Sequence, residues 1–401
     1  MISVTEARRL IIQNADPLPL EEIPVQTCAG RINGEDLMAL RTQPPFDASA
    51  MDGYAVRSED AVQGNTLSVI GEAPAGLPFD GEVGPGQAVR IFTGGIIPNG
   101  ADHIIIQEDV DRSEDQITVT DTQNPPRHIR KAGVDFHFGD GLFEDGTRLG
   151  ALHSSVLASA GISEIKVHQK PRVAIFSNGD ELTEIGAPAR PGSIISSTQT
   201  ALTSWLRAWG AEADYLGIAR DSLESLAAMI EKAKGYDVIV PLGGASVGDY
   251  DLVKTAFETA GYEPLFSKIA VKPGKPTWFG RLGGRLILGL PGNPASGLVC
   301  AQIFLRPLIE ALSGLTPSTD VPIQKAVLTD AVDANGPRAN FLRADVKIAA
   351  DGRLMATPFP RQDSSLLTPF AKASAFIVQM PNSRALEKDD LCNVMIWGEY
   401  P

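Results

Sequence analysis

Five carboxylates stand where apolar runs break off into polar turns: Asp180 and Glu181 in SNGDEL, Asp221 after GIAR, and Asp249 and Asp251 in GGASVGDYD. In open α/β sheets ligands lie outside the carboxyl ends of the strands, so side chains at such breaks converge on one edge. Asp52 in AMDGYA and Asp135 in GVDF are further oxygen donors from the flanking β regions. Oxygen donors without histidine or cysteine beside them favour Mg2+, above all next to a phosphate. Set against them are Lys268, Lys272 and Lys275 in SKIAVKPGKP, three cations on a short Pro/Gly segment of an acidic chain, which read as an anion site. If IAV is a strand, Lys268 and Lys272 share one face, because side chains alternate with period two. Simpler alternatives stand beside both readings: aspartate is a favoured helix cap at a sheet edge, and a lysine cluster can be only a solvated face.

The turns that carry these groups follow short runs rich in β-branched residues. Val238 to Leu242 reads as a strand buried on both faces of a parallel sheet. Gly243 and Gly244 then allow a tight turn and close approach of backbone to a ligand, and Ser246, Asp249 and Asp251 add polar groups before a helix. A second buried strand, Val173 to Phe176, runs into Ser177, Asn178, Gly179, Asp180 and Glu181. A third, Arg285 to Leu290, runs into Pro291, Gly292, Asn293 and Pro294, which open an apolar helix to about Leu312. Between them, Leu202, Trp205, Leu206 and Trp209 at i, i+3, i+4 and i+7 predict a helix capped at Gly210. A strand over Asp214 to Ile218 and a helix over roughly Leu223 to Lys234 follow. Strands alternating with helices predict a doubly wound parallel sheet with right-handed crossovers. Four polar turns then meet on one edge: residues 178–181, Asp221, 243–251 and 291–293.

Both flanks read differently. Ser3 and Glu6 have capping-box spacing, and Val4, Ala7, Leu10 and Ile11 form one face, so a helix is expected to about Ala15. From Leu67 to Val119, short strands punctuated by Gly, Pro and Asn predict a small β domain. Within it TGGIIPNGAD, with Thr93, is either a ligand-facing loop or a structural turn, and TQPPFDASAMDGYAV is either a binding loop or a set of turns capped by Asp47 and Asp52. Beyond Gly314 to Pro317 short alternating strands return, with a hairpin signal at Asp351-Gly352. Closure into a β-barrel hides so many strand edges. The organisation expected is multi-domain α/β plus β: an N-terminal helical and β region with linker over 1–169, carrying an inserted β domain at about 42–132, a central α/β domain over 170–313, and a C-terminal barrel over 314–401.

A net charge of −14, from 35 basic and 49 acidic residues, argues against general nucleic-acid binding, so any anion must be held locally. Cys28, Cys300 and Cys392 form neither a disulfide framework nor a metal pair, which fits a reducing cytoplasm. The five histidines lack zinc spacing, and neither a GxSxG elbow nor a Walker lysine motif is present. MISVTEARRL has no secretory h-region and no apolar run is read as approaching membrane-spanning length. A soluble cytoplasmic protein with no membrane partner is expected.

Taken in order, PPFDASAMDGYA, TGGIIPNGAD, AGVDFHFGD, SNGDEL, GGASVGDYD, KPGKP and LPGNPAS resemble the molybdopterin molybdenumtransferase family, the bacterial molybdenum-cofactor proteins similar to the C-terminal domain of gephyrin. The likeness covers nearly the whole chain, and seven ordered motifs make it specific. It implies a central molybdopterin-binding domain, and an elongated homodimer with the active site between subunits. It implies insertion of molybdate into adenylylated molybdopterin, Mg2+-assisted, with release of AMP and formation of molybdenum cofactor. Catalytic roles then fall on Asp52, Glu181, Asp221 and Asp251, the last three also holding Mg2+. Contacts to the molybdopterin adenylate fall on Thr93, Asp135, Asn178, Asp180, Gly243, Gly244, Ser246, Asp249, Pro291, Asn293 and Pro294. Molybdate falls to Lys268, Lys272 and Lys275, with Arg343 of FLRAD and Ser364 of RQDSS from the barrel. The resemblance also implies contact with molybdopterin adenylyltransferase and with molybdoenzyme chaperones.

The chain departs from the family pattern at Ala48, where PFDNSAMDG has Asn, at Asn178, where STGDEL has Thr, and at Ser196 and Thr198, where a DSN sequence follows PGxI. Two other readings stay open. One is a gephyrin-like scaffold or weakened paralogue that binds molybdopterin; the other is the adenylyltransferase of the preceding step, against which the flanking β regions argue.

Overall fold

The computed structural model describes residues 1–121, 128–188, 190–243 and 252–398. They form two compact units: one of Met1–Glu21, Gly30–Gly34 and residues from Lys166 onward, the other of Glu22–Ala29 and Glu35–Ile165.

In the first unit, alternation of strand and helix gives β1 (Arg172–Asn178), α1 (Thr198–Ala208), β2 (Glu212–Ala219), α2 (Leu223–Lys232), β3 (Val238–Leu242), α3 (Leu252–Thr259), β4 (Glu263–Phe266), β5 (Trp278–Leu282) and β6 (Arg285–Gly289). The sheet order is β2-β1-β3-β6-β5-β4. The β2, β1, β3 and β6 strands are parallel. β5 and β4 add an antiparallel edge that the strand-helix alternation alone did not predict. Its origin is local: Gly283 and Gly284 turn β5 directly back into β6, so no crossover helix is needed.

Period two divides the sheet's side chains cleanly. Val173, Ile175, Val238 and Val240 pack on one face with the N-terminal helix Val4–Gln13, with α1 and with the helical run from Pro294 to Leu312. Ala174, Phe176 and Ile239 pack on the other with Leu226 and Ile230 of α2 and Val253 and Phe257 of α3. Helices on both faces explain why the strands read as continuous apolar runs. The Pro294–Leu312 run comprises α4 (Pro294–Cys300), a π turn over Ala301–Leu305 and α5 (Arg306–Leu312). Contrary to the sequence expectation, it is long and apolar enough to cross a membrane, the one such helix among the described residues, but 89% of the stretch is buried inside the protein. Its composition is that of a core helix.

The N-terminal helix begins at the expected cap, Ser3 Oγ accepting from Glu6 N–H at 3.1 Å. Its Arg8 is 4% exposed and donates to the carbonyls of Ile303, Ser318 and Thr319 at 2.6, 2.6 and 3.0 Å. Burial lowers this guanidinium to about 10.

Beyond α5 the chain forms a closed five-stranded barrel. Ala339–Ile348 pairs with Leu354–Pro358, then come Gln324–Leu328, Leu391–Ile396 and Ala375–Gln379, which returns to Ala339–Ile348. The two-residue strand Val271–Lys272 extends this sheet by pairing with Ala339 and Asn340. The second unit centres on a six-stranded sheet in the order His103–Ile106, Gly53–Val56, Gln87–Ile91, Thr66–Ala73, Gln116–Val119, Val110–Ser113.

Candidate active site

Where the parallel strands end, the first unit opens into a cavity of about 760 Å³. Its walls are Ser177, Asn178 and Glu181 after β1, residues 194–198 leading into α1, Leu242 and Gly243 at the end of β3, and residues 291–294 after β6. Lys268, Lys275 and Pro276 form another side, and Ser365 and Leu367 arrive from the barrel. The described parts of the predicted turns thus gather on one edge. Gly244, Ser246, Asp249 and Asp251 lie outside the described residues.

Backbone approach explains the glycines here. Gly243 has φ +105°, and a Cβ there would stand 2.7 Å from the Asn178 carbonyl oxygen. At Gly179, φ +150°, a Cβ would meet Glu181 Oε2 at 2.4 Å, so this turn lets the carboxylate fold over the strand end.

The acidic rim is tied together by hydrogen bonds. Asn178 Nδ2 donates to Asp221 Oδ1 at 2.8 Å, and the Asp180 N–H to Asp221 Oδ2 at 3.3 Å. The Asp221 N–H returns a bond to Asp180 Oδ1 at 3.3 Å. Asp180, Glu181 and Asp221 remain exposed. They are oxygen donors only, the set a hard cation takes. Among the described residues no three His, Cys, Asp or Glu groups are close enough to hold a metal ion, so the metal reading rests on Glu181 and Asp221 together with Asp251.

The lysines are arranged differently from the period-two expectation. Ile2 N–H donates to the Lys268 carbonyl at 3.2 Å while the Ile2 carbonyl accepts from Ala270 N–H at 2.8 Å, and Ile269 N–H donates to the Lys275 carbonyl at 3.0 Å, so the segment doubles back instead of running as one strand. Lys268 and Lys275 line the cavity, whereas Lys272, in the two-residue strand against the barrel, does not.

Arg343 also takes a place the sequence could not indicate. It is 3% exposed, and its side chain donates to Gln362 Oε1 and to the carbonyls of Leu366, Arg361 and Asp363 at 3.0–3.3 Å. Instead of facing an anion, its guanidinium folds the loop 361–366 around itself. Ser364 in that loop accepts from Asn293 Nδ2 at 3.2 Å and, through its carbonyl, from Ala295 N–H at 2.9 Å. The loop is thereby pinned to the start of α4, which brings Ser365 and Leu367 to the cavity. Those two residues escaped the sequence reading, as did Tyr215, whose hydroxyl lies 3.3 Å from Ser196 Oγ. Leu367 and Tyr215 lie in no motif, and Ser365 stands beside Ser364 in RQDSS.

Asp52, Thr93 and Asp135 belong to the second unit. Asp52 Oδ1 accepts from both the N–H and the hydroxyl of Thr93 at 2.8 Å. These bonds, the backbone one first, hold the Asp52 carboxyl below its ordinary range. Asp135 is exposed, its N–H donating to the Gln43 carbonyl at 3.1 Å. Asp47 takes the turn-capping role, accepting from Lys131 Nζ at 2.7 Å and Ala132 N–H at 2.8 Å.

A doubly wound domain with a polar cavity at its carboxyl edge, followed by a closed barrel, defines a class. Residues 174–311 match the probable molybdopterin binding domain, residues 2–161 the MoeA N-terminal region (domains I and II), and residues 325–397 the MoeA C-terminal region (domain IV). The chain is 37% identical over 381 residues to the molybdopterin molybdenumtransferase of Haemophilus influenzae, covering 94% of each. It is 33% identical to that of Bacillus subtilis, covering 99% of this chain and 94% of the other. The crystal structure of the molybdopterin biosynthesis MoeA protein from Pyrococcus horikosii superposes with TM-score 0.84 at 32% identity, over 100% of both chains. The chain belongs to the molybdopterin molybdenumtransferase family.

Proposed function

We propose that this protein inserts molybdate into adenylylated molybdopterin and releases AMP, yielding molybdenum cofactor. One observation carries the reading: a single cavity of about 760 Å³ is lined by Glu181 on one wall and by Lys268 and Lys275 on another. The substrate combines a heterocycle with a phosphoric anhydride, and the second substrate is an oxyanion. Lysines and the N-terminal end of the helix at Pro294 attract such anions. The cavity is large enough for a ligand of that kind.

The rim carboxylates would repel phosphate unless a cation stands between them. Their all-oxygen character suits Mg2+, which Glu181, Asp221 and Asp251 would hold and which would offset charge on phosphate oxygens. The chain's own groups do the rest: Asn178 and the Asp180 backbone orient Asp221, while Lys268 and Lys275 concentrate the oxyanion. Asp52, steadied by Thr93, is a further catalytic group in this reading, and Asp135 a substrate contact. The protein works as a cytoplasmic homodimer that takes its substrate from molybdopterin adenylyltransferase and hands cofactor to molybdoenzyme chaperones.

The test is incubation of the purified chain with adenylylated molybdopterin, Mg2+ and molybdate. Molybdate-dependent AMP release with active cofactor is the expected result. Binding without AMP release would identify a scaffold or weakened paralogue, and consumption of ATP with free molybdopterin would identify an adenylyltransferase.

A further inference from the structure

Two hydroxyls at the floor of the cavity and a third just behind them lie together. Ser177 Oγ is 2.7 Å from Ser196 Oγ, which is 3.3 Å from the Tyr215 hydroxyl. Ser177 and Ser196 line the cavity and are 3% and 5% exposed, while Tyr215, one strand further out on β2, does not reach it. Register explains the grouping: Ser177 follows Val173 and Ile175 on the same face of β1, and Ile175 pairs with Tyr215 across the sheet.

We propose that these three residues form a polarised donor relay, in which Tyr215 positions Ser196 and Ser177 to donate a hydrogen bond to an acceptor atom of the bound heterocycle, such as a lactam carbonyl oxygen. The proposal rests on the reading of this cavity as the molybdopterin site.

Direction follows from the chemistry of the three groups. A phenol is the strongest donor of the three and the poorest acceptor, because its lone pair is delocalised into the ring. Burial raises the Tyr215 phenol above its ordinary value, against the opposing effect of its hydrogen bonds to Ser177 and Ser196. Its proton therefore goes to the serine pair, the Ser196 proton to Ser177, and the Ser177 proton to whatever enters the cavity. Each bond strengthens the next. Reversing the chain would leave the half-buried phenol donor without a protein acceptor, the costlier arrangement. The DSN pattern would place a carboxylate at position 196, which can only accept. With Ser196 the floor donates instead, so the departure changes which edge of a heterocycle is recognised.

Two pteridines that differ at one substituent test this: pterin-6-carboxylate, with an oxo acceptor at C4, and 2,4-diaminopteridine-6-carboxylate, with an amino donor there. Binding is followed by ligand fluorescence. Wild type is expected to prefer the oxo compound. Tyr215→Phe, which keeps the ring and its packing, should weaken the oxo compound roughly three- to tenfold and leave the amino compound unchanged. Ser177→Ala should bring the preference close to one. A purely structural Tyr215 would affect both ligands alike, and a preference unchanged in both folded variants would overturn the relay. So would wild type binding neither pteridine. Measuring AMP release on the same preparation separates the two ideas: release with an unaltered preference sinks the relay alone, and a relay-dependent preference without release supports the relay while sinking the activity.

Discussion

The side chain of Asn178 donates to Asp221 across 2.8 Å, joining the end of β1 to the turn after β2. A neutral amide thus sits where a second carboxylate would be intolerable. Asn178→Asp preserves the shape and places two carboxylates within hydrogen-bond reach, where both cannot ionise. The shared proton raises the folded-state pKa, so the folded variant binds more protons than the unfolded chain and loses stability as pH rises. Thermal melting should show a deficit at pH 7.5 that narrows toward pH 5, and AMP release should fall at least tenfold at the higher pH. A pH-independent melting temperature difference would mean that the two groups move apart.

The lysines should not be equivalent. Lys268→Gln and Lys275→Gln each remove a charge from the cavity wall, and should raise the molybdate concentration needed for half-maximal AMP release about tenfold, the scale of one charge-assisted contact. Lys272→Gln, off the wall, should change it less than threefold. The opposite ranking would put the oxyanion elsewhere.

Arg343 bears on stability as well as on the cavity. Arg343→Met leaves the carbonyls of Arg361, Asp363 and Leu366 without their donor, which should cost about 2–4 kcal/mol in urea denaturation. Lysine should rescue little of this, because a point charge cannot span a fork of carbonyls. Since the same loop meets Asn293, substrate affinity should weaken in parallel. A destabilisation below about 1 kcal/mol would show that the loop holds without the guanidinium.

Asp52 gives a pH test in the other unit. Its carboxyl is depressed by Thr93, so the stabilisation it brings is fully present above the ordinary carboxylate pKa and fades as pH falls through the lower folded value. Thr93→Val removes the hydroxyl bond and keeps the backbone one. Carboxyl NMR should then find the Asp52 titration moved upward part of the way to its ordinary value, and no movement would assign the depression to the backbone alone.

Much of this fold was legible because its signals are local. The runs at 173–176 and 238–242 announced strands covered on both faces, and Ser3 announced its helix. The β5–β6 hairpin is not legible from strand-helix alternation, because Arg285 to Leu290 taken alone reads as one more parallel strand, and only its pairing with β5 across Gly283-Gly284 is antiparallel. Of the expected site, Asn178, Glu181, Gly243, Lys268, Lys275, Pro291, Asn293 and Pro294 do share one cavity. Arg343 was misplaced for a physical reason: a sequence displays charge but not the carbonyls that can absorb it, and the loop it holds reaches Asn293 from 71 residues away. Tyr215 was invisible for the same reason, its hydroxyl gaining meaning only from strand register.

The helical run from Pro294 to Leu312 has a consequence for synthesis. Every strand of the sheet it covers precedes it in the chain, β6 ending at Gly289 just ahead of it. At roughly 5–20 residues per second, the segment emerges from the ribosome within a few seconds of the surface it will cover. Arg8, which will take the Ile303 carbonyl, left the ribosome nearly three hundred residues earlier. The order of elements keeps brief the interval in which this bilayer-compatible stretch is uncovered, and a circular permutant that moved this helix ahead of β1 would lengthen it.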